Sequence, residues 1–257
     1  MKNKNLYILI ILLLVLASGT FAQQPAPTKG LSFPLPKIDV QVGSSDNGQD
    51  VSVTLQILLL MTILALAPSI MIMTTAYLRI IIVFHFLKSA LGTQQMPPGQ
   101  LLAGVALFIT FFVMAPTWNK VNDEALKPLM DEKITTEEAY NKGIVPIREF
   151  MFKHVREEDL GLFISLANMK RPNNRNDLPT YILVPAFVLS ELRTGFIIGF
   201  FLFIPFLMVD MIVSSILMSM GMMMLPPMLV SLPFKILLFI LVDGWNLIVG
   251  SVVRSFG

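Results

Sequence analysis

Long uncharged apolar tracts alternate with a single polar block along this chain, and their lengths predict helices. Val53–Met73 runs 21 residues without a charge, matching the ~20 residues a helix needs to cross the hydrocarbon of a bilayer. Leu101–Trp118 runs 18 and closes on a tryptophan suited to a membrane interface. A third tract starts at Tyr181 and passes Leu225, interrupted by Glu191, Arg193 and Asp210. The fourth, Met228–Val253, holds Lys235 and Asp243. The pattern predicts an all-α membrane protein with four spans. The leader before Val51, the block Asn119–Thr180 and the C-terminus then share one side, and Arg79 and Lys88 fall in the inner connection.

The two halves are alike in outline. Each has a long apolar stretch, a Pro-Pro corner (Pro97-Pro98, Pro226-Pro227) and a shorter apolar stretch. Proline removes a donor and biases the residue before it away from helix, so each corner is expected to turn a helical hairpin. The first hairpin is expected over 51–118 and the second over 181–257. Between them, 119–180 mixes charges of both signs with Ile147, Phe150, Met151, Leu160 and Phe163 at helical spacing. Its carboxylates have no histidine or metal cluster beside them, and they read as the solvated face of helices.

The start of the chain has a different pattern. Lys2 and Lys4 precede an apolar run, Leu6–Leu16, too short to span comfortably. Thr20-Phe21-Ala22 then places small residues three and one before a cut ahead of Gln23. Residues 1–22 are expected to be a signal peptide, removed after Ala22. Residues 23–50, rich in Pro, Gly, Ser and Gln, are expected to be a flexible non-cytoplasmic leader.

Composition sharpens this picture. Of the 257 residues, 54% are apolar and 14% charged, against roughly 25% charged in an average soluble domain. The block from Lys120 to Asp177 carries 21 of the 36 charges, so a water-soluble fold has too little polar surface to cover the remaining tracts. A net charge of +2 is too small to suggest a nucleic-acid partner. Cysteine is absent, which excludes disulfides and thiolate chemistry. His85 and His154 stand far apart without metal-ligand spacing and read as surface or packed imidazoles. No catalytic set, cofactor site or metal site is expected.

Several stretches together carry a resemblance. Arg79–Pro98, Leu107–Pro116, Asp123–Asp131 and Arg148–Met151 are followed by Pro185-Ala-Phe-Val-Leu-Ser-Glu-Leu-Arg-Thr-Gly-Phe-Ile-Ile-Gly199. Then come Pro205–Asp210, Met218–Pro227 and Asp243-Gly-Trp-Asn-Leu247. In this order, from about Val51 to the C-terminus, they resemble the FliP family of flagellar biosynthesis proteins. Ile197 stands where that family usually has a polar residue, and His85-Phe86 where it has a smaller pair. The resemblance implies a core subunit of the type III export gate, the pore through which unfolded flagellar proteins leave the cell. It implies several copies of the chain, expected as a pentamer, together with FliQ, FliR and other membrane subunits of the apparatus. It also implies a place in the flagellar basal body at the bacterial inner membrane, with hairpins stacked around a pore largely above the membrane plane.

The ionisable groups inside the apolar tracts are then candidates for mechanism. A charge at bilayer depth costs roughly 2.5–3.5 kcal/mol on insertion scales, so such groups pair or line water. Glu191 and Arg193, two apart on one helix, face different ways and are expected to find separate partners. Asp210 and Lys235 are expected to neutralise each other, between adjacent copies, and a proton relay is the functional alternative. Met218, Met220, Met222, Met223 and Met224 fall all round a helix rather than on one stripe. Leu225, ahead of Pro226, disfavours helix, and Gly221 adds a flexible point, so the segment is expected to leave the wall as a loop. Met222, Met223 and Met224 are the expected pore gate, a deformable apolar constriction. The rival readings are a purely structural subunit of the basal body and a secondary transporter, which would need matching charged residues at its two corners.

Overall fold

The computed structural model describes residues 48–93, 96–170, 174–222 and 225–257, and among these every regular element is a helix. The expected signal peptide and the leader up to residue 47 lie outside the described residues. Val53–Gly257 forms one compact unit; of the other, Met1–Ser52, only residues 48–52 are described. The helices are α1 (Gly48–Thr74), α2 (Tyr77–Leu91), α3 (Gly99–Val121), α4 (Thr136–His154), α5 (Glu157–Leu166), α6 (Thr180–Ser219), α7 (Pro227–Leu241) and α8 (Gly244–Arg254).

α2 is the centre of the unit. Ile80, Val83, Phe84, Leu87 and Ala90 are fully buried on it, and it packs mainly against α6. The two run parallel: Arg79 meets Glu191, Ile82 meets Gly195, and Phe86 meets Gly199. A Cβ built on Gly199 would stand 2.4 Å from the Phe86 ring, so only glycine admits this approach. Past the end of α2, α7 takes over as the neighbour of α6 and runs antiparallel to it, with Phe239 against Phe206 and Lys235 against Asp210. A 65° bend then leads into α8, whose Ile248 and Val252 are buried in the same core.

The span expectation changes in two places. Residues 74–100 were to be an inner connection carrying Arg79 and Lys88, yet they hold the most buried helix. With 15 residues and two cations, α2 is too short and too charged to read as a span. It is α2, not α1, that pairs with α3 across the first Pro-Pro corner. α1 stands apart: none of its span window is covered by the rest of the chain. Three helices are long and apolar enough to cross a membrane, Thr54–Thr74, Gly99–Met130 and Thr180–Ser219, or four if the bent pair α7–α8 counts as one span.

The polar block continues these helices rather than starting a separate loop. α3 passes Trp118 and runs through a π-helical turn, Asn122–Leu126, to Met130. α4 starts with a capping box, in which the Thr135 hydroxyl accepts from the Glu138 N–H and the Glu138 carboxylate accepts from the Thr135 N–H. α4 packs on α3, and α5 packs on α6.

Candidate functional site

Three polar nodes tie the helices together inside an otherwise apolar body. At the first, Arg79 of α2 makes a two-pronged contact with Glu191 of α6, Nε to Oε2 at 2.8 Å and Nη2 to Oε1 at 2.5 Å. Nη1 donates to the Ser255 carbonyl (2.8 Å) and hydroxyl (2.9 Å), and the Phe256 ring lies 3.8 Å from the guanidinium carbon. Arg79 is 3% exposed and Glu191 not at all. A paired guanidinium with its other donors filled is the form in which a buried charge is tolerated.

One residue before Glu191, Ser190 donates to Asp159 Oδ2 (2.8 Å) and accepts from the Arg156 N–H (3.0 Å). Arg193, two residues after Glu191, reaches Glu158 at 3.1 Å and Asp159 at 3.4 Å. Glu191 and Arg193 thus have different partners on different elements. Asp159 departs from the solvated-face reading given to the carboxylates of 119–180, since it is buried at 3% exposure between Ser190 and Arg193.

The third node joins the two corners. Lys235 Nζ lies 2.6 Å from Asp210 Oδ2 and donates to the Ala90 carbonyl at 3.1 Å. Ser231 donates to Asp210 Oδ1 at 2.5 Å. The contact forms within one chain, where the sequence reading placed it between copies. The arms differ in length only until the α6–α7 corner is counted, and antiparallel packing then brings positions 210 and 235 level. Ala90 lies in the last turn of α2, where helix carbonyls are unsatisfied and a cation is favoured.

The corner beyond this node carries the methionines. α6 ends in a Schellman arrangement: Gly221, at φ 74, donates to the Met218 carbonyl, and the Met222 N–H to Leu217. Gly221 is therefore a defined helix stop rather than the flexible point expected from the sequence. Met218, Met220 and Met222 are exposed; Met223 and Met224 lie outside the described residues. The corner as described presents apolar thioethers and no charge.

His154, in the last turn of α4, packs against Phe150 and Phe256. Burial first, then the charges of Arg79 and Lys153, push its pKa down to about 4. Among the described residues no cluster of His, Asp and Glu has the makings of a metal site. Arg79, Asp159, Ser190 and Ser231 were missed as node residues in the sequence. Arg79 carried a signal, being a charge within an apolar run; the two serines carried none.

The FliP family model matches residues 60–252. The chain is 56% identical over 217 residues to the flagellar biosynthetic protein FliP of Bacillus subtilis (strain 168), covering 84% of this chain and 98% of that one. With the protein of that name from Borreliella burgdorferi it shares 45% identity over 244 residues, covering 93% and 94%. With that from Pectobacterium carotovorum subsp. carotovorum it shares 46% over 250 residues, covering 97% and 92%.

Proposed function

Because the chain belongs to the FliP family, we propose that it is a core subunit of the flagellar type III protein export gate. Its role is structural and transport-related rather than catalytic. Several copies, with FliQ, FliR and other export-apparatus subunits, surround the pore through which unfolded flagellar proteins pass. The gate sits at the inner membrane in the flagellar basal body, with the N-terminal leader and the 119–180 block on the periplasmic side.

The observation that carries this reading is uncovered apolar surface on helices of unequal length. Only 11% of the α6 span window, and none of the α1 window, is buried by the chain itself. At 1.5 Å per residue, the 40 residues of α6 reach about 60 Å, twice the ~30 Å hydrocarbon of a bilayer. Lipid covers at most half of such a helix, α2, α4 and α5 cover part of its N-terminal half, and neighbouring subunits fit the apolar surface left over.

Met222, Met223 and Met224 are the proposed seal of the resting pore. Unbranched thioethers brought together around an axis exclude water and ions by dewetting, then repack around a passing polypeptide. The test is a variant with all three replaced by alanine in the assembled complex, measured by ionic conductance and by growth under small-solute stress. The expected result is normal assembly with a leak. An assembled variant as tight as the wild type returns these methionines to ordinary packing.

A further inference from the structure

The run from Ser89 to Asn119 holds no charge, and Lys120 ends it. Trp118, two residues earlier, suits the rim of a bilayer, so α3 meets water at about this level. α4 packs on α3 in the opposite sense: Gly143 meets Ala125, and Glu149 lies 3.0 Å from Lys120. That register carries Lys153 past Lys120 to about the level of Pro116, beside the uncharged run. Pro116, Lys120, Glu149, Lys153, His154 and Phe256 line one cleft of about 260 Å³, the space of about nine waters at ~30 Å³ each.

Charges in this cleft do not balance. The Glu149 carboxylate accepts from Lys120. Lys153, one turn along α4 from Glu149, donates to the Phe256 carbonyl at 3.3 Å and has no acidic partner within ion-pair distance among the described residues. His154 is neutral above about pH 4, and Arg79 behind it is matched by Glu191. Two ammoniums against one carboxylate leave a single positive charge in excess. A ridge of apolar side chains leads into the cleft. Phe108, Phe112, Pro116 and Lys120 follow one another at four-residue spacing along α3. Phe108 and Phe112 are 77% and 72% exposed. From Phe108 to Lys120 the rise is about 18 Å, close to the ~15 Å of hydrocarbon in one leaflet.

We propose that this cleft holds the phosphate of an anionic phospholipid, with Lys153 as its main counter-charge and an acyl chain lying along Phe112 and Phe108. Lysine stems rest on apolar surface while their ammoniums stay with the polar headgroup, and the imidazole of His154 adds a donor without charge. A protein helix on the same ridge covers the phenylalanines but leaves Lys153 unmatched unless it brings an acid to that level. A phospholipid brings the negative charge and the apolar chain together, in the order in which the cleft and the ridge present themselves. The site depends on the membrane setting of the chain and not on the export gate.

The test uses the chain co-produced with its partner subunits and extracted from membranes, with retained phospholipid read by native mass spectrometry. Wild type should keep an anionic phospholipid in preference to zwitterionic ones. Lys153→Gln should lower that retention about fivefold, and Lys120→Gln/Lys153→Gln by more than about tenfold. Lys127→Gln, whose lysine pairs with Asp123 outside the cleft, should leave it unchanged. Short-chain anionic phospholipid should raise the melting temperature of the wild type, and inorganic phosphate alone should not. In native membranes, p-benzoylphenylalanine placed at Phe112 should, on photolysis, yield chains with the added mass of a phospholipid. Equal retention in wild type and the double lysine variant overturns the site. An equal rise from inorganic phosphate makes it a free-anion site, and a crosslink from position 112 to a second polypeptide puts protein on the ridge; either overturns the lipid. All three leave the export-gate reading standing.

Discussion

Lys235, with its side chain 2% exposed, holds Asp210, the Ala90 carbonyl and, through Asp210, Ser231. Its partner is 24% exposed, and that asymmetry orders the outcome of substitutions. Asp210→Ala leaves a buried ammonium with one carbonyl, so a loss of about 3–5 kcal/mol of stability is expected. Lys235→Ala leaves a carboxylate that water still reaches, and a smaller loss follows. The exchanged pair Asp210→Lys/Lys235→Asp should recover only part, because the Ala90 carbonyl then faces a carboxylate. Thermal unfolding of the detergent-extracted chain reads all three, and equal losses for the two single variants would sink the ordering. His154 gives a prediction in pH. Its imidazole is neutral in the fold down to about pH 4, while the unfolded chain takes up a proton from about pH 6.5. The unfolded state therefore binds more protons between these values, and stability falls as pH drops from about 6.5 to about 4, then levels off. A His154→Phe variant, apolar against Phe150 and Phe256, should flatten that part of the melting-temperature profile. An unchanged slope would mean the imidazole is protonated alike in both states.

Helices set the limits of what single residues reveal. α6 and α2 meet through glycine on one and large side chains on the other, and Gly199→Ala puts a Cβ 2.4 Å from the Phe86 ring carbon. A cost of about 1–3 kcal/mol is expected for such overpacking, relieved in part in a double variant with Phe86→Ala, which removes the ring carbons at 2.4 and 2.5 Å. The thermal midpoints of the two single variants and the double variant check this. Without recovery in the double variant, the strain lies elsewhere than at Phe86. The apolar tracts and the Pro-Pro corners were legible in the sequence, because each depends on neighbours along the chain. The place of α2 was not, since its meaning depends on Glu191, 112 residues away. For the same reason Asp159 read as one more surface acid in Arg156-Glu-Glu-Asp until Ser190 and Arg193 closed over it. Gly221 illustrates a smaller limit: sequence marks a glycine as permissive, but only backbone hydrogen bonds tell a flexible point from a Schellman stop.

For the molecule as a whole, mass is the simplest check on its ends. The basic start, short apolar run and small residues before Gln23 predict a chain trimmed after Ala22. Intact-mass measurement of membrane-extracted protein should find Gln23 first, and retention of Met1–Ala22 would remove the basis for a periplasmic leader. The parallel contact between α2 and α6 has a consequence in time. A ribosome adding about 5–20 residues per second exposes Arg79 for roughly ten seconds before Glu191, 112 positions later, has been made. For that interval a cation destined to be sealed beside Phe256 and Ser255 has none of its final neighbours, since all of them follow it in the chain. An unpaired cation is disfavoured in hydrocarbon, so α2 is expected to stay in contact with water while α3, α4 and α5 are added. Closure of this node waits further for Ser255 and Phe256, whose carbonyl, hydroxyl and ring meet the guanidinium.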